Sequence, residues 1–294
     1  MRVWKSFKDW SLRFMSPEDF DALSNFGPTL CMMVESFGRS LFQKGDSIYV
    51  LRQLITLIQR WKPEFRSNLG RAWQLVSRWE TLEPSNHRHP LPPAVFQAMV
   101  VVSYFWGWHR FAGIMVLTYE SISRPGEMLR ATRSDLLLPE DLLVEDPGTM
   151  FVRFRNPKGR KRGLQRVQHS KITDGRSTRF ISRIFGHLPS WALLYPGSAA
   201  SFRRRWDKVL QALAIPVSVG LTPASMRGGG AVRAYRANED ITNLLWRMRL
   251  KNLETLQHYL QEAGAISLFS NLPSKSKARV QAATSLYSSL LDGI

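Results

Sequence analysis

The chain has 294 residues, enough for one large domain or two modest ones, and its 44% hydrophobic content predicts a globular protein, not a disordered one. Lys and Arg number 41 against 23 Asp and Glu. The resulting net charge of +18 exceeds what solubility needs and points to a polyanion, nucleic acid first and an anionic membrane surface second. One cysteine, Cys31, excludes an internal disulfide and any Cys-based zinc site and fits a reducing compartment.

The N-terminus from Met1 to Lys5 is broken by charge and lacks the apolar core of a signal peptide. An intracellular location is therefore expected, the nucleus in a eukaryote or the cytoplasm and nucleoid in a bacterium. Helical spacing over 28–44 joins Cys31, Val34, Phe37, Leu41 and Phe42. Over 46–80 it joins Leu51, Leu54, Leu57, Ile58, Leu69, Trp73, Val76 and Trp79. Residues 81–93 hold Pro84, Pro90, Pro92 and Pro93, which forbid a continuous helix and mark a boundary. A helical first domain is predicted over 1–86 and a second over 87–272, with 273–294 as a Ser- and Lys-rich tail.

The apolar stretch 94–119 is interrupted by Gln97, Ser103, His109 and Arg110, so it reads as two buried helices and not as a membrane span. From Glu120 to Asp135 the pattern is a turn and a helix, with Pro125 in the first helical turn. Glu140, Asp141, Glu145 and Asp146 share a Pro-flanked loop and no metal-site spacing accompanies them, so no metal is expected. Met150 to Arg155 alternates as a strand, the run 156–159 is turn chemistry, and a basic strand returns at about 164–172. Helical patterns resume at 178–186, 200–213 and 226–262. The fold class expected is mainly α with a small antiparallel β-sheet, an α+β arrangement.

Four residues carry the chemical signal. Cutting a phosphodiester without a metal requires neutralising the phosphate, aiming a nucleophile in line and protonating the leaving oxygen. Arg124 and Arg227 suit the first task, because a guanidinium fork binds two phosphate oxygens and stays charged. Lys158, on the predicted hairpin turn, suits the last. Tyr259 suits the nucleophile, whose attack leaves a covalent phosphotyrosyl link. Each has an ordinary alternative: an Arg that caps its helix, a solvated lysine turn, a half-buried tyrosine with its hydroxyl wet.

In this order and spacing the chain resembles the tyrosine recombinase, or phage integrase, family over about residues 30–262. Arg124 with Glu127 matches the family's first motif, and Lys158 its hairpin lysine. Arg227 after Thr222 and Pro223 matches the arginine of its His-x-x-Arg motif. Residues 255–259 match the nucleophile segment. The resemblance implies a helical core-binding, SAM-like domain followed by a catalytic domain, and cutting and rejoining of double-stranded DNA through a 3′-phosphotyrosyl intermediate. It also implies tetramers on paired sites, and no cofactor or metal. Where the family places His and His or Trp, this chain has Ala224 and Leu250. Losing a general acid or base typically costs about 10²–10⁴-fold in rate. Lys251, Arg249 and Ser225 lie close by in sequence, although structural or solvent-facing roles suit them better. A recombinase-derived DNA-binding protein that has lost catalysis, and a type IB topoisomerase-like enzyme, are the alternative functions.

The remaining signal is basic. Arg153, Arg155, Arg160, Lys161 and Arg162 line the predicted hairpin, and Arg203, Arg204 and Arg205 open a helix. Phosphate contact by these residues would give steeply salt-dependent affinity with little sequence information. The run 228–230 lacks a preceding strand and a following Gly-Lys-Ser/Thr, so it reads as close backbone packing and not as a nucleotide loop.

Overall fold

The computed structural model describes residues 2–83, 89–142, 148–155, 167–260 and 262–293. The chain divides into two compact units, Met1–Asn86 and His87–Ile294.

The first unit is all helical: α1 (Arg2–Ser11), α2 (Pro17–Ser24), α3 (Gly27–Gln43), α4 (Ile48–Trp61) and α5 (Gly70–Leu82). Helix starts follow local chemistry. Ser16 accepts the Asp19 amide at 3.1 Å with Pro17 in the first turn, and Ser47 accepts the Tyr49 amide at 3.3 Å. Pro63 stops α4 and breaks the apolar periodicity of 46–80 into two helices. Helix α3 lies at the centre, with Leu30, Val34 and Phe37 buried against Phe7, Phe20, Leu51, Leu54 and Val76. Each such side chain contributes about 1.5–3 kcal/mol by leaving water.

The second unit contains α6 (Pro93–Phe105), α7 (His109–Glu120), α8 (Pro125–Met128), α9 (Gly175–Phe185), α10 (Ala199–Ala212), α11 (Ser225–Arg236), α12 (Ile241–Met248), α13 (Leu253–Gln257), α14 (Glu262–Ser270), α15 (Ser274–Thr284) and α16 (Tyr287–Asp292). A three-stranded antiparallel sheet, β1 (Leu136–Leu137), β2 (Met150–Phe154) and β3 (Gln168–Ile172), runs in the order β1-β2-β3. Val152 pairs with Ser170 and Phe154 with Gln168, and the buried Met150, Val152 and Phe154 show the period-two alternation of a half-buried strand. The mainly helical class with a small sheet agrees with the sequence expectation.

Helices α6 and α7 pack against each other, and α7 is buried on every face from Phe111 to Glu120. This explains an apolar stretch long enough to raise the membrane question. Among the described residues no helix is long and apolar enough to cross a bilayer.

Two expectations are corrected. The periodic run 226–262 is not one helix, because Asn238 at φ 60° and Arg249 at φ 55° adopt left-handed conformations that end helices, and the side chain of Asp240 caps α12. Residues 273–294 do not form a tail. They form α15 and α16, which bury Val280, Leu290 and Leu291 in the core of the second unit. The Thr284 hydroxyl donates to the Ala94 carbonyl at 3.0 Å and the Ser276 hydroxyl to the Ala214 carbonyl at 2.6 Å.

Candidate active site

Arg124 caps the start of α8, just after a tight turn at the end of α7. Ile122 in that turn is fully buried at φ 50°. A β-branched residue there costs about 1–2 kcal/mol, and such strain is held only when surroundings impose it. Here the Ser123 amide donates to the Thr118 carbonyl at 3.1 Å, and the Ser170 hydroxyl of β3 donates to the Ser121 carbonyl at 2.9 Å.

Helix α11 delivers Arg227 by lying against two other backbones. A Cβ on Gly229 would overlap the Leu91 carbonyl oxygen, and one on Gly230 the Tyr119 carbonyl oxygen. The glycine run is therefore a packing device, as its sequence context implied. The Leu91 amide completes the contact by donating to the Ser225 carbonyl at 3.0 Å.

Five side chains meet. Glu127 accepts from the Arg124 amide at 3.1 Å and from Arg124 Nη1 at 3.3 Å, while Arg249 Nη2 donates to Glu127 Oε2 at 2.7 Å. Arg227 is 3% exposed, and its Nη2 donates to the Met248 carbonyl at 2.6 Å. Its guanidinium carbon lies 5.3 Å from the centroid of the half-buried Tyr259 ring. Tyr259 follows α13, with its amide donating to the Leu256 carbonyl at 2.8 Å. Tyr259 and Leu250 pack against the small apolar cluster of Ile122, Ala231, Ala234, Leu244, Met248 and Leu256.

The electrostatics are unbalanced. Three guanidinium groups share one carboxylate here. Burial opposes ionisation of Glu127, yet Arg249 and Arg124 outweigh it and hold the carboxyl below its ordinary value. Burial, with repulsion from Arg124 and Arg249, pulls Arg227 down to about 10 despite the neighbouring Tyr259 and Glu127. It stays cationic at neutral pH. Nε and Nη1 of Arg227, and the same two atoms of Arg249, meet no acceptor among the described residues. Unpartnered buried cationic donors cost several kcal/mol. Such a cluster is complementary to an anion with several oxygens.

The predicted site residues divide three ways. Arg124, Arg227 and Tyr259 come together. Lys158, Arg160, Lys161 and Arg162 lie outside the described residues. Among the other described cations, Arg155 and Arg153 have partners of their own: Arg155 donates to Asp135 at 2.5 Å and Arg153 to the Ser134 carbonyl at 2.6 Å, although both line a small cavity with Glu127. Arg203 pairs with Asp207 at 2.9 Å, Arg204 is exposed, and Arg205 stacks on Trp108 at 5.1 Å. Ala224 and Leu250 are half-buried and bring no polar group. Ser225 is occupied by accepting the Thr222 amide at 3.2 Å, and Lys251 is exposed. Arg249, for which a structural or solvent-facing role suited the sequence better, is 5% exposed at the side chain and stacks 3.6 Å from the Phe154 ring centroid. No spacing signal marks it, because its place depends on the left-handed turn after α12. Among the described residues no group of His, Cys, Asp or Glu is arranged to hold a metal ion.

No protein-family model matches the chain, and no curated protein matches it in sequence. Solved structures do match in fold. The Tn1549 transposon integrase in complex with transposon right-end DNA aligns over 90% of this chain and 98% of its own, at 13% identity and a TM-score of 0.54. A lambda integrase dimer bound to a core site aligns over 89% and 77%, at 11% identity and a TM-score of 0.53. At these identities the likeness is one of fold, and the chain has the fold of the tyrosine recombinases.

Proposed function

We propose that the chain binds duplex DNA and cuts and rejoins it through a 3′-phosphotyrosyl intermediate. The observation that carries this reading is the buried Arg227 guanidinium, with two donor nitrogens that meet no acceptor among the described residues, beside the Tyr259 ring and in the field of Arg124 and Arg249. An unpaired buried cation beside a phenol suits a phosphate and a nucleophile. The phenol oxygen of Tyr259 forms the new bond to phosphorus and its proton leaves to solvent. Arg124 and Arg227 stabilise the charge on the non-bridging oxygens. The bond to the 5′-oxygen breaks, and Lys158 protonates that oxygen. The two solved integrases bind DNA, which supports DNA as the partner here. The net charge of +18 supports it independently.

The first unit, in this reading, is the core-binding domain. Arg2, Arg52, Arg60 and Tyr49 surround a groove of about 650 Å³ on it, which suits a phosphate backbone. Self-association on paired sites belongs to the same reading, since one active site cuts one strand.

The test is a random-sequence library of nicked duplexes incubated with the full chain and denatured in detergent. A covalent protein–DNA adduct is expected, and Tyr259→Phe should abolish it while retaining DNA binding. Persistence of the adduct in that variant would overturn Tyr259 as the nucleophile. A second reading is favoured by Ala224 and Leu250, which leave the site without an imidazole at either position: a DNA-binding protein that has lost catalysis. Binding with no adduct from the wild type, and an adduct from Ala224→His, would establish it.

A further inference from the structure

Arg249 is a tightly held side chain to which the proposed reaction assigns no step. Its backbone sits at φ 55°, ψ 46°, a conformation that L side chains other than Asn and Asp rarely take. The guanidinium is held from two sides, by the Phe154 ring at 3.6 Å and by Glu127 Oε2 at 2.7 Å. Side-chain exposure is 5%, yet Nε and Nη1 have no acceptor among the described residues. Burial and the neighbouring Arg124 both lower its pKa, with Glu127 opposing them. A residue serving only to neutralise Glu127 would not need a third guanidinium beside two that already repel it. Arg124 alone already reaches that carboxylate.

We propose that Arg249 is the third phosphate-binding guanidinium of this cleft, supplying through Nε or Nη1 the hydrogen bond that neither Ala224 nor Leu250 can give. The inference rests on the reading of the cleft as a phosphate site. The Phe154 ring, stacked on the guanidinium, aims the group before DNA arrives, which cuts the ordering cost of binding. Residue Arg249 also lines an open groove of about 260 Å³ with His169, Trp246, Leu250 and Lys251. The ligand chemistry is a tetrahedral or trigonal-bipyramidal oxyanion, and a planar guanidinium is suited to two of its oxygens at once.

The probe is orthovanadate, which mimics a phosphoryl group in both geometries, titrated calorimetrically into the full chain at constant ionic strength. Saturable binding is expected for the wild type and for Tyr259→Phe. Arg249→Gln should weaken it tenfold or more. Arg249→Lys, which keeps the charge and the reach to Glu127 but loses the planar fork, should weaken it at least threefold. Glu127→Gln should leave affinity equal or tighter, because it removes the one negative charge, whereas a purely structural Arg249–Glu127 tether requires both partners' variants to weaken binding together. If Arg249→Gln does not fold, Arg249→Lys and Glu127→Gln decide between the two roles by themselves. Equal affinity for the wild type and Arg249→Lys, or weakening by Glu127→Gln, overturns the role of Arg249 alone. Absence of binding to the wild type overturns the phosphate-site reading with it.

Discussion

The guanidinium of Arg227 lies 5.3 Å from the ring centroid of Tyr259, and it is the more buried of the two. A cation so placed stabilises, in the proposed reaction, the charge building on the phosphate. Arg227→Lys retains a positive charge but loses the planar fork. Adduct formation should fall about 10²–10³-fold, the range seen when one donor to a developing oxyanion is removed. Duplex affinity, measured by fluorescence anisotropy, should change by less than threefold. A rate loss below tenfold would remove Arg227 from the chemistry.

Helix α11 tolerates no side chain where it crosses its neighbours. Gly229→Ala drives a methyl into the Leu91 carbonyl, and overpacking of this kind costs about 1–3 kcal/mol. At Gly228 an added Cβ would sit 3.4 Å from Pro90 Cα, an ordinary contact. Gly228→Ala should therefore be neutral or stabilising by up to about 1 kcal/mol, through helix propensity. Urea midpoints should move in opposite directions or separate clearly. Equal shifts would contradict the close approach at Gly229.

Acid stability should depend on Glu127. Its folded pKa is depressed, so its contribution is complete above the unfolded value of about 4.3 and is lost as pH falls through the folded pKa. Between pH 5 and 3 the wild type should lose stability more steeply than Glu127→Gln, which has no proton to take up there. Parallel urea-midpoint curves for the two proteins would show that Glu127 is not held ionised by Arg249 and Arg124.

Arg204 and Arg205 are neighbours with different environments. Arg204 is exposed, whereas Arg205 lies against the rings of Trp108 and Tyr195 at 5.1 and 5.8 Å. Arg204→Gln should leave the melting temperature unchanged and reduce the slope of log affinity against log salt by about one, if it meets a phosphate. Arg205→Gln should lower the melting temperature by a few degrees, because stacking and packing are lost. Identical behaviour of both variants would sink the distinction.

The legible parts of this molecule were those written in local periodicity. Helices α3, α4, α6, α7 and α10 follow apolar spacing closely, and β2 follows strict alternation. Arg124, Arg227 and Tyr259 could be named because each stands in a short motif. Arg249 could not, since its burial arises from a left-handed turn and from Phe154 of a strand far away in sequence. The helical stretch 226–262 misled for a related reason: apolar spacing continues across Asn238 and Arg249, where the backbone leaves the helix. Residues 273–294 are polar enough to read as a tail, and a few apolar side chains that meet α6 and α9 dock them together with hydrogen bonds such as that from Thr284 to Ala94.

That docking has a temporal side. The bond from Thr284 to the Ala94 carbonyl spans 190 residues and joins α15 to the first helix of its unit. At typical ribosomal speeds of about 5–20 residues per second, α6 waits roughly 10–40 s for the partner that covers it. During synthesis α7 can pack on α6 at once, whereas the face that α15 covers stays without its native neighbour. The unit that holds Arg124, Arg227 and Tyr259 is thus open to chaperones and to misassembly until nearly its last helix emerges.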